Sequence, residues 1–252
     1  MTLLRIEHLH KQFGALAATD NLSLEVNHGE LHALIGPNGA GKTTLISQLS
    51  GSLRPDSGQI QFDGRNLLQV PEATRPSLGL VRSFQITSIF PEFSALENVA
   101  LVLQSQQGHS FRFWKAVRDD FELRSRAEEY LKWAGLDREM AIPAYALAYG
   151  QQRQLELAMA LALEPKLLLL DEPMAGMGAE ESLQVVKLLQ QLKGKITMLL
   201  IEHDMDAVFA VADRVSVLVY GRIIATDTPS EIRENAEVRQ AYLGEHEISV
   251  AN

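Results

Sequence analysis

The segment with the clearest chemistry is a glycine-rich stretch that ends in lysine and threonine. It reads Gly36-Pro37-Asn38-Gly39-Ala40-Gly41-Lys42-Thr43-Thr44 and contains the spacing G-x-x-x-x-G-K-[ST]. Glycines allow successive backbone N–H groups to surround one anion, and the N-terminus of a following helix adds positive potential. This phosphate loop, residues 36–44, is therefore predicted to bind the phosphates of a nucleotide. The Lys42 ammonium would reach the β- and γ-phosphates, and the Thr43 hydroxyl would ligate Mg²⁺.

A second chemical feature is a pair of acids at the end of an apolar run. Four leucines at residues 167–170 are followed at once by Asp171 and Glu172. A buried strand that ends in these acids would place them at the carboxyl edge of a sheet, where α/β proteins bind ligands. Asp171 is predicted to hold Mg²⁺ through water, and Glu172 to act as general base on the attacking water. Alone, the pair could simply end a strand, but combined with Lys42 and Thr43 it predicts nucleotide hydrolysis.

Strands and a helix must position these residues. A buried strand at residues 30–35 leads into the phosphate loop, and a helix at residues 42–49 follows the loop and ends before Gly51. Apolar and alternating stretches predict the remaining strands. These are an antiparallel pair at residues 3–26 around Gly14, strands at 167–170 and 196–201, and a hairpin of 215–219 with 222–225 around Gly221.

The middle third of the chain has helical spacing instead. Helices are predicted at residues 96–102, 122–134 and 152–163, and the polar stretch 104–110 is predicted to be a loop. An α/β core is thus interrupted by a helical insertion at about residues 95–163. The C-terminal tail, about residues 229–252, is expected to contain one or two short helices.

Bulk composition excludes several classes of protein. The net charge of −9 over 252 residues argues against nucleic acid as a partner, because nucleic-acid binders usually carry a basic face. Cysteine is absent, which excludes disulfides and thiolate metal sites. No apolar run approaches the ~18 residues of a membrane span, and the N-terminus lacks the apolar region of a signal peptide. We expect a soluble chain that reaches a membrane only by docking onto other subunits.

Four further features occur in the order of a known family. They are Phe13 near the N-terminus, Gln85 at the end of Arg-Ser-Phe-Gln, the segment Leu-Ala-Tyr-Gly-Gln at residues 147–151, and His203 in Glu-His-Asp. Together with the phosphate loop and the two acids, these segments resemble ATP-binding-cassette (ABC) ATPase subunits over nearly the whole chain. The fold that the resemblance implies is α/β, a P-loop NTPase core with a mixed sheet and an antiparallel β subdomain, plus a helical subdomain.

The resemblance also implies roles for these residues, with ATP and Mg²⁺ as cofactors. Gln85 would be the Q-loop glutamine that contacts Mg²⁺ and senses the γ-phosphate, His203 would be the switch histidine, and Phe13 would stack on adenine. The signature motif would bind the γ-phosphate of ATP held by an opposite subunit, and its residues here are Ala148, Tyr149, Gly150 and Gln151. One phosphate loop and one signature per chain imply a head-to-tail dimer with two shared sites.

Two positions depart from the family pattern. Ala148 replaces the usual signature serine and removes a hydroxyl that would bond the γ-phosphate, a loss on the order of 1 kcal/mol of closed-dimer stability. Gly178 stands where the family generally has aspartate, in the loop after Glu172. We expect hydrolysis to survive both changes, with an altered rate or coupling.

Several stretches are similar to import subunits for branched-chain amino acids, among them residues 81–85, 96–99, 149–152, 201–205 and 241–245. Subunits of urea or amide importers and a lipopolysaccharide-export ATPase share parts of the pattern and stay open as alternatives. The implied partners are transmembrane permease subunits, a second ABC ATPase subunit, and indirectly a solute-binding protein. The implied place is the cytoplasmic face of the membrane. A groove at residues 86–98, with Ile89, Phe90, Pro91 and Phe93, could dock a permease helix or simply cover the core.

Other classes of nucleotide protein fit less well. Soluble ABC ATPases outside transport usually have long coiled coils or duplicated cassettes, and neither appears in these 252 residues. A GTPase would carry an Asn-Lys-x-Asp stretch, which is absent, and a P-loop kinase would lack both the signature segment and the adjacent Glu172.

Overall fold

Two β-sheets frame the phosphate loop in the computed structural model, which describes residues 1–83, 89–106 and 121–241. The smaller sheet is antiparallel, with strand order β2-β1-β4-β5. Its strands are β1 (Thr2–Phe13), β2 (Leu16–Asn27), β4 (Ser57–Phe62) and β5 (Arg65–Asn66). The first two are the antiparallel pair predicted around Gly14.

The larger sheet is mixed and has strand order β10-β9-β3-β8-β7-β6. Its strands are β3 (Leu31–Ile35), β6 (Leu80–Arg82), β7 (Leu167–Asp171), β8 (Thr197–Ile201), β9 (Arg214–Val219) and β10 (Arg222–Asp227). All neighbours run parallel except the β9–β10 hairpin. The carboxyl ends of β3, β8, β7 and β6 therefore lie side by side along one edge, and the loops that follow them meet there.

Helices cover this sheet and build a separate cluster. The helix α1 (Lys42–Ser50) follows the phosphate loop and ends at Gly51, which has a left-handed backbone with φ of 100°. Three helices, α2 (Ala95–Gln106), α3 (Phe121–Trp133) and α4 (Tyr149–Ala162), share a hydrophobic core of their own. The remaining helices are α5 (Ala179–Leu192), α6 (Met205–Val211), α7 (Pro229–Glu234) and a helical segment at 236–241.

The leucine run of β7 shows why this sheet is buried on both faces. Side chains alternate along a strand, so Leu168 and Leu170 point into one core, and Leu167 and Leu169 point into the other. The first core includes residues of α5 and α6, and the second lies between the sheet, α1 and the antiparallel sheet. A continuous apolar run is typical of such a strand.

The fold class is the predicted one, but some element bounds differ. Residues 104–106, predicted to be loop, continue α2, and the Ser105 hydroxyl donates to the Val102 carbonyl 2.6 Å away, a local bond compatible with a helix. The rest of that predicted loop lies outside the described residues. The helix α4 begins at Tyr149, three residues before the predicted start. No helix in the described ranges is both long and apolar enough to cross a membrane.

Candidate nucleotide-binding site

The phosphate loop connects β3, at the centre of the larger sheet, to α1. Gly41 immediately precedes the helix with φ of 109°, a conformation that favours glycine. A β-carbon at this position would lie 2.1 Å from the Ala18 carbonyl oxygen of β2. The antiparallel sheet thus presses directly against the loop, and only glycine fits at this contact.

The Lys42 side chain folds back over the loop. Its Nζ donates to the carbonyl oxygens of Gly36, 2.6 Å away, and Pro37, 2.9 Å away, and the residue is only 6% exposed. Thr43 is exposed in the first turn of α1 and Thr44 is half-buried. The loop therefore holds a buried cation at the N-terminus of a helix, which is an environment suited to an anion.

The carboxylate of Asp171 lies at the end of β7 and pairs with Arg82, which ends the neighbouring strand β6. Nη2 of Arg82 is 2.8 Å from Oδ2 of Asp171. Within the described part of the chain, no group of three or more acidic or histidine side chains is arranged to hold a metal ion alone. Mg²⁺ at a nucleotide needs only one or two protein oxygens besides phosphates and water, so the Thr43 hydroxyl and the Asp171 carboxylate fit it.

Glu172 and His203 are in direct contact at the same sheet edge. His203 follows β8, and its Nε2 lies 2.5 Å from Oε1 of Glu172. Because a carboxylate can only accept, Nε2 carries the hydrogen in this pair. Glu172 has φ of 51°, which is uncommon outside glycine, and its N–H donates to the Ile201 carbonyl of β8. The backbone thus turns sharply at the residue predicted to be the general base.

A buried acid, Glu202, supports both of these residues. Its Oε1 accepts the Met174 N–H at 2.9 Å, and the same side chain contacts the His203 N–H. Burial raises the pKa of the Glu202 carboxyl, and the nearby charge of Glu172 also raises it, although bonds from backbone N–H groups act in the opposite direction. Glu202 therefore ties the loop after Glu172 to the segment that carries His203.

The signature segment forms the first turn of α4. Gln151 Oε1 accepts the Ala148 N–H at 3.0 Å, so Gln151 closes the start of the helix without a hydroxyl at Ala148. Tyr149 is exposed, and Gly150 lies against α5, where a β-carbon would be 2.3 Å from the Glu181 carboxyl carbon. The Glu181 carboxylate also accepts the Gly178 N–H at 3.0 Å. The signature therefore contacts the loop and helix that follow Glu172.

The predicted residues fall into four groups. The phosphate loop, Asp171, Glu172 and His203 lie along one edge of the larger sheet. Phe13 is at the tip of the β1–β2 hairpin, half exposed, with Lys11 Nζ 5.4 Å from its ring centre. The residues of the signature occupy the start of α4, and Gln85 lies outside the described residues.

Sequence reasoning missed the roles of three charged neighbours, Arg82, Glu181 and Glu202. Each contacts a predicted site residue or its loop from another element. Two of the three were visible as charges at the end of apolar runs, Arg82 after residues 80–81 and Glu202 after the predicted strand at residues 196–201, since a charge at a strand end often faces the ligand edge.

Comparison with known proteins adds a family context to this geometry. The family model described as "ABC transporter" matches residues 19–175, and the model described as "Branched-chain amino acid ATP-binding cassette transporter" matches residues 222–248. The high-affinity branched-chain amino acid transport ATP-binding protein LivG of Salmonella typhimurium is 40% identical over 251 residues, which cover 96% of this chain and 98% of LivG.

Solved structures share the fold. The ADP conformation of an ATP-binding cassette of an ABC transporter superposes with a TM-score of 0.83 at 32% identity, and the match covers 97% of this chain and 99% of the other. A dimeric post-hydrolysis cassette bound to ADP and phosphate matches with a TM-score of 0.75 at 25% identity, over 90% of this chain and 98% of the other.

Proposed function

The chain belongs to the ABC transporter family of ATP-binding subunits, and we propose that it hydrolyses ATP to drive import of branched-chain amino acids. The observation that carries this proposal is the meeting of the phosphate loop, Asp171 and the Glu172–His203 pair at one sheet edge. The likeness to LivG along almost the whole chain supports the substrate class.

Hydrolysis is assigned to the residues of that edge. The phosphate loop binds the triphosphate with its N–H groups, and the Lys42 ammonium moves from the Gly36 and Pro37 carbonyls to the β- and γ-phosphates. Thr43, Asp171 and Gln85 would hold Mg²⁺, which would neutralise phosphate charge when bound. Glu172 accepts a proton from the attacking water, and His203 orients Glu172 and contacts the γ-phosphate.

Adenine binding and the half of the site supplied by a second subunit involve residues outside this sheet edge. Phe13 supplies an exposed ring for stacking on adenine. The N-terminus of α4, with Ala148, Tyr149, Gly150 and Gln151, faces the γ-phosphate of ATP on a second ABC subunit, identical or not. A dimeric relative bound to ADP and phosphate supports this arrangement. Residues 95–163 then act as the helical subdomain that carries the signature.

A permease helix is proposed to dock beside the helical subdomain. Phe90 and Phe93 are 49% and 40% exposed and stack with ring centres 5.4 Å apart. Buried Asn98 fixes their loop, because its Nδ2 donates to the carbonyls of both phenylalanines and its Oδ1 accepts the Phe90 N–H. A rigid aromatic pair on the surface suits an apolar partner. This docking would hold the chain at the cytoplasmic face of the membrane, next to permeases served by a solute-binding protein.

The ATPase assignment is tested with Glu172→Gln. We expect ATP hydrolysis to fall at least about a hundredfold, the usual contribution of a general base, while ATP binding persists and light scattering shows an ATP-dependent dimer. Glu129→Gln on the exposed face of α3 makes the same charge change and should hydrolyse ATP normally. Wild-type turnover in Glu172→Gln would refute the base assignment.

The transport assignment is tested by purifying the tagged chain from membranes and identifying the bound subunits. Two permease subunits and stimulation of ATP hydrolysis by leucine with the cognate solute-binding protein are expected. Phe90→Ala/Phe93→Ala should lose the permeases and keep basal hydrolysis, whereas Phe121→Ala, which removes another exposed ring, should keep both. Stimulation by urea or an amide instead of leucine would overturn the substrate class, and recovery with ribosomes would overturn transport.

A further inference from the structure

The acid proposed to face Mg²⁺ is already paired with a cation of its own chain. Arg82 and Asp171 form an ion pair whose side chains keep only 16% and 17% of their exposure. The two residues end adjacent parallel strands, with Arg82 in register with Leu169. The Ser83 N–H also donates to the Leu169 carbonyl at 2.9 Å, so the backbone on both sides of the pair is held by the sheet. The contact is therefore built into the fold.

The hydrogen bonding of the Arg82 guanidinium indicates that the ion pair with Asp171 determines the conformation of the Arg82 side chain. Nε of Arg82 is buried and has no hydrogen-bond partner in the part of the chain that the structure describes. Buried N–H groups normally find an acceptor, and a side chain of this length has other rotamers. The conformation instead places Nη2 on Asp171. The acid thus has a resident counter-ion at the sheet edge where the nucleotide is proposed to bind.

We propose that Arg82 is a positioning residue that competes with the divalent cation for Asp171 and so sets the Mg²⁺ concentration needed for nucleotide binding. The inference rests on the proposed function, in which Asp171 holds the metal. The Arg82 guanidinium neutralises the Asp171 carboxylate and orients it along the sheet edge. It also repels a second cation, such as Mg²⁺, at the same oxygens. The ion pair between Asp171 and Arg82 must weaken before the Asp171 carboxylate can bind Mg²⁺.

The test is the Mg²⁺ dependence of nucleotide binding, measured with a fluorescent ATP analogue under conditions without turnover. Arg82→Gln removes the competing charge, and we expect the half-saturating Mg²⁺ concentration to fall roughly twofold to fivefold, as expected for loss of a partly screened ion pair. Binding of the analogue in EDTA should change by less than about twofold, since the pair lies at the metal and not at the phosphate loop. Arg82→Met is measured in parallel in case the glutamine variant does not fold.

Controls separate this effect from general electrostatics. Arg126→Gln on α3 breaks the pair with Glu164 and makes the same charge change elsewhere, so its Mg²⁺ requirement should match wild type. Arg82→Lys keeps the charge and should stay close to wild type. In an Asp171→Asn background, Arg82→Gln should have no further effect on the Mg²⁺ requirement, because the carboxylate that the two cations share is gone.

The outcomes distinguish the inference from the function on which it rests. An unchanged or raised Mg²⁺ requirement in both neutral variants, with Asp171→Asn strongly impaired in its response to Mg²⁺, overturns the role of Arg82 alone. If Asp171→Asn itself responds to Mg²⁺ like wild type, the metal role of Asp171 fails, and this inference fails with it.

Discussion

Replacement of Arg75 with methionine is expected to destabilise the fold by about 3–5 kcal/mol. The guanidinium is only 5% exposed and donates to four backbone carbonyls. The acceptors, from the end of α1 and the turn after β5, are Gln48 at 2.9 Å, Leu49 at 2.5 Å, Leu67 at 2.9 Å and Val70 at 3.3 Å. Burial lowers the pKa of Arg75 and the charge of Glu72 acts in the opposite direction, while the four carbonyl dipoles hold the guanidinium in place.

The magnitude follows from two opposing effects. Hydrogen bonds from a charged donor contribute about 1.5–3 kcal/mol each, or roughly 6–12 kcal/mol for four. Desolvation of the guanidinium opposes this sum by roughly 3–7 kcal/mol, which leaves about 3–5 kcal/mol. Arg75 also fills the space beside Gly51, where a β-carbon would lie 2.8 Å from Cζ, so methionine cannot restore the contacts to the end of α1.

Urea unfolding of the nucleotide-free chain measures the effect. With an m-value of about 3 kcal/mol/M, the midpoint of Arg75→Met should fall by about 1–1.7 M. Arg75→Lys keeps the charge but has fewer hydrogen-bond donors, so its urea midpoint should lie between those of wild type and Arg75→Met. Arg138→Met removes an exposed arginine and should stay within about 0.5 kcal/mol of wild type. An unfolding free energy of Arg75→Met within about 0.5 kcal/mol of wild type would refute the reasoning, since the carbonyls would then not depend on the guanidinium.

Three further predictions address the candidate site. Gly150→Ala pushes a β-carbon into the Glu181 carboxylate, but its unfolding free energy should stay within about 1 kcal/mol of wild type because alanine favours the helix. ATP-dependent dimer formation, measured by light scattering, should fall in this variant. Normal dimer formation would contradict the prediction. Lys42→Met should weaken ATP binding at least about tenfold in equilibrium dialysis, because a charge-assisted contact to phosphate is lost, and near-normal affinity would exclude that contact. The raised pKa of Glu202 means that its contribution to stability is present at low pH and is lost as the pH rises through the raised pKa. Urea unfolding should therefore show that Glu202→Gln becomes more stable relative to wild type as the pH rises above the ordinary pKa of glutamate. If the unfolding free energies of the two proteins changed with pH in parallel, the prediction would be wrong.

Local patterns predicted the parts of the fold that depend on neighbours in sequence. The phosphate loop, β3 and α1 are contiguous, and the leucine run of β7 carries its own signal of a strand buried on both faces. The short strand β6 has only three residues, too few for a period to be visible. The start of α4 was placed late because its first turn contains Tyr149 and Gly150, which favour a helix less than the residues that follow.

Contacts between distant positions could not be read in the same way. Arg82 and Asp171 are 89 positions apart and meet because β6 pairs with β7 in parallel. Glu181 reaches Gly150 only because α5 packs beside the start of α4. Such pairs depend on strand order and helix packing, which no single stretch of sequence specifies. This is why the residues with chemistry were predicted and their charged neighbours were not.

These neighbours change what nucleotide binding must do energetically. The main charged groups of the candidate site already have partners in the same chain, namely loop carbonyls for Lys42, Arg82 for Asp171, and His203 for Glu172. Binding therefore exchanges internal contacts for contacts to phosphate and metal, and its free energy is a difference between two paired states. Variants that remove an internal partner with no proposed contact to the ligand, as Arg82 is, should then bind more tightly, whereas variants that remove a group facing the ligand should bind more weakly. The ion pair of Arg82 and Asp171 contains one group of each kind. Arg82→Gln is therefore expected to lower the Mg²⁺ requirement and Asp171→Asn to raise it.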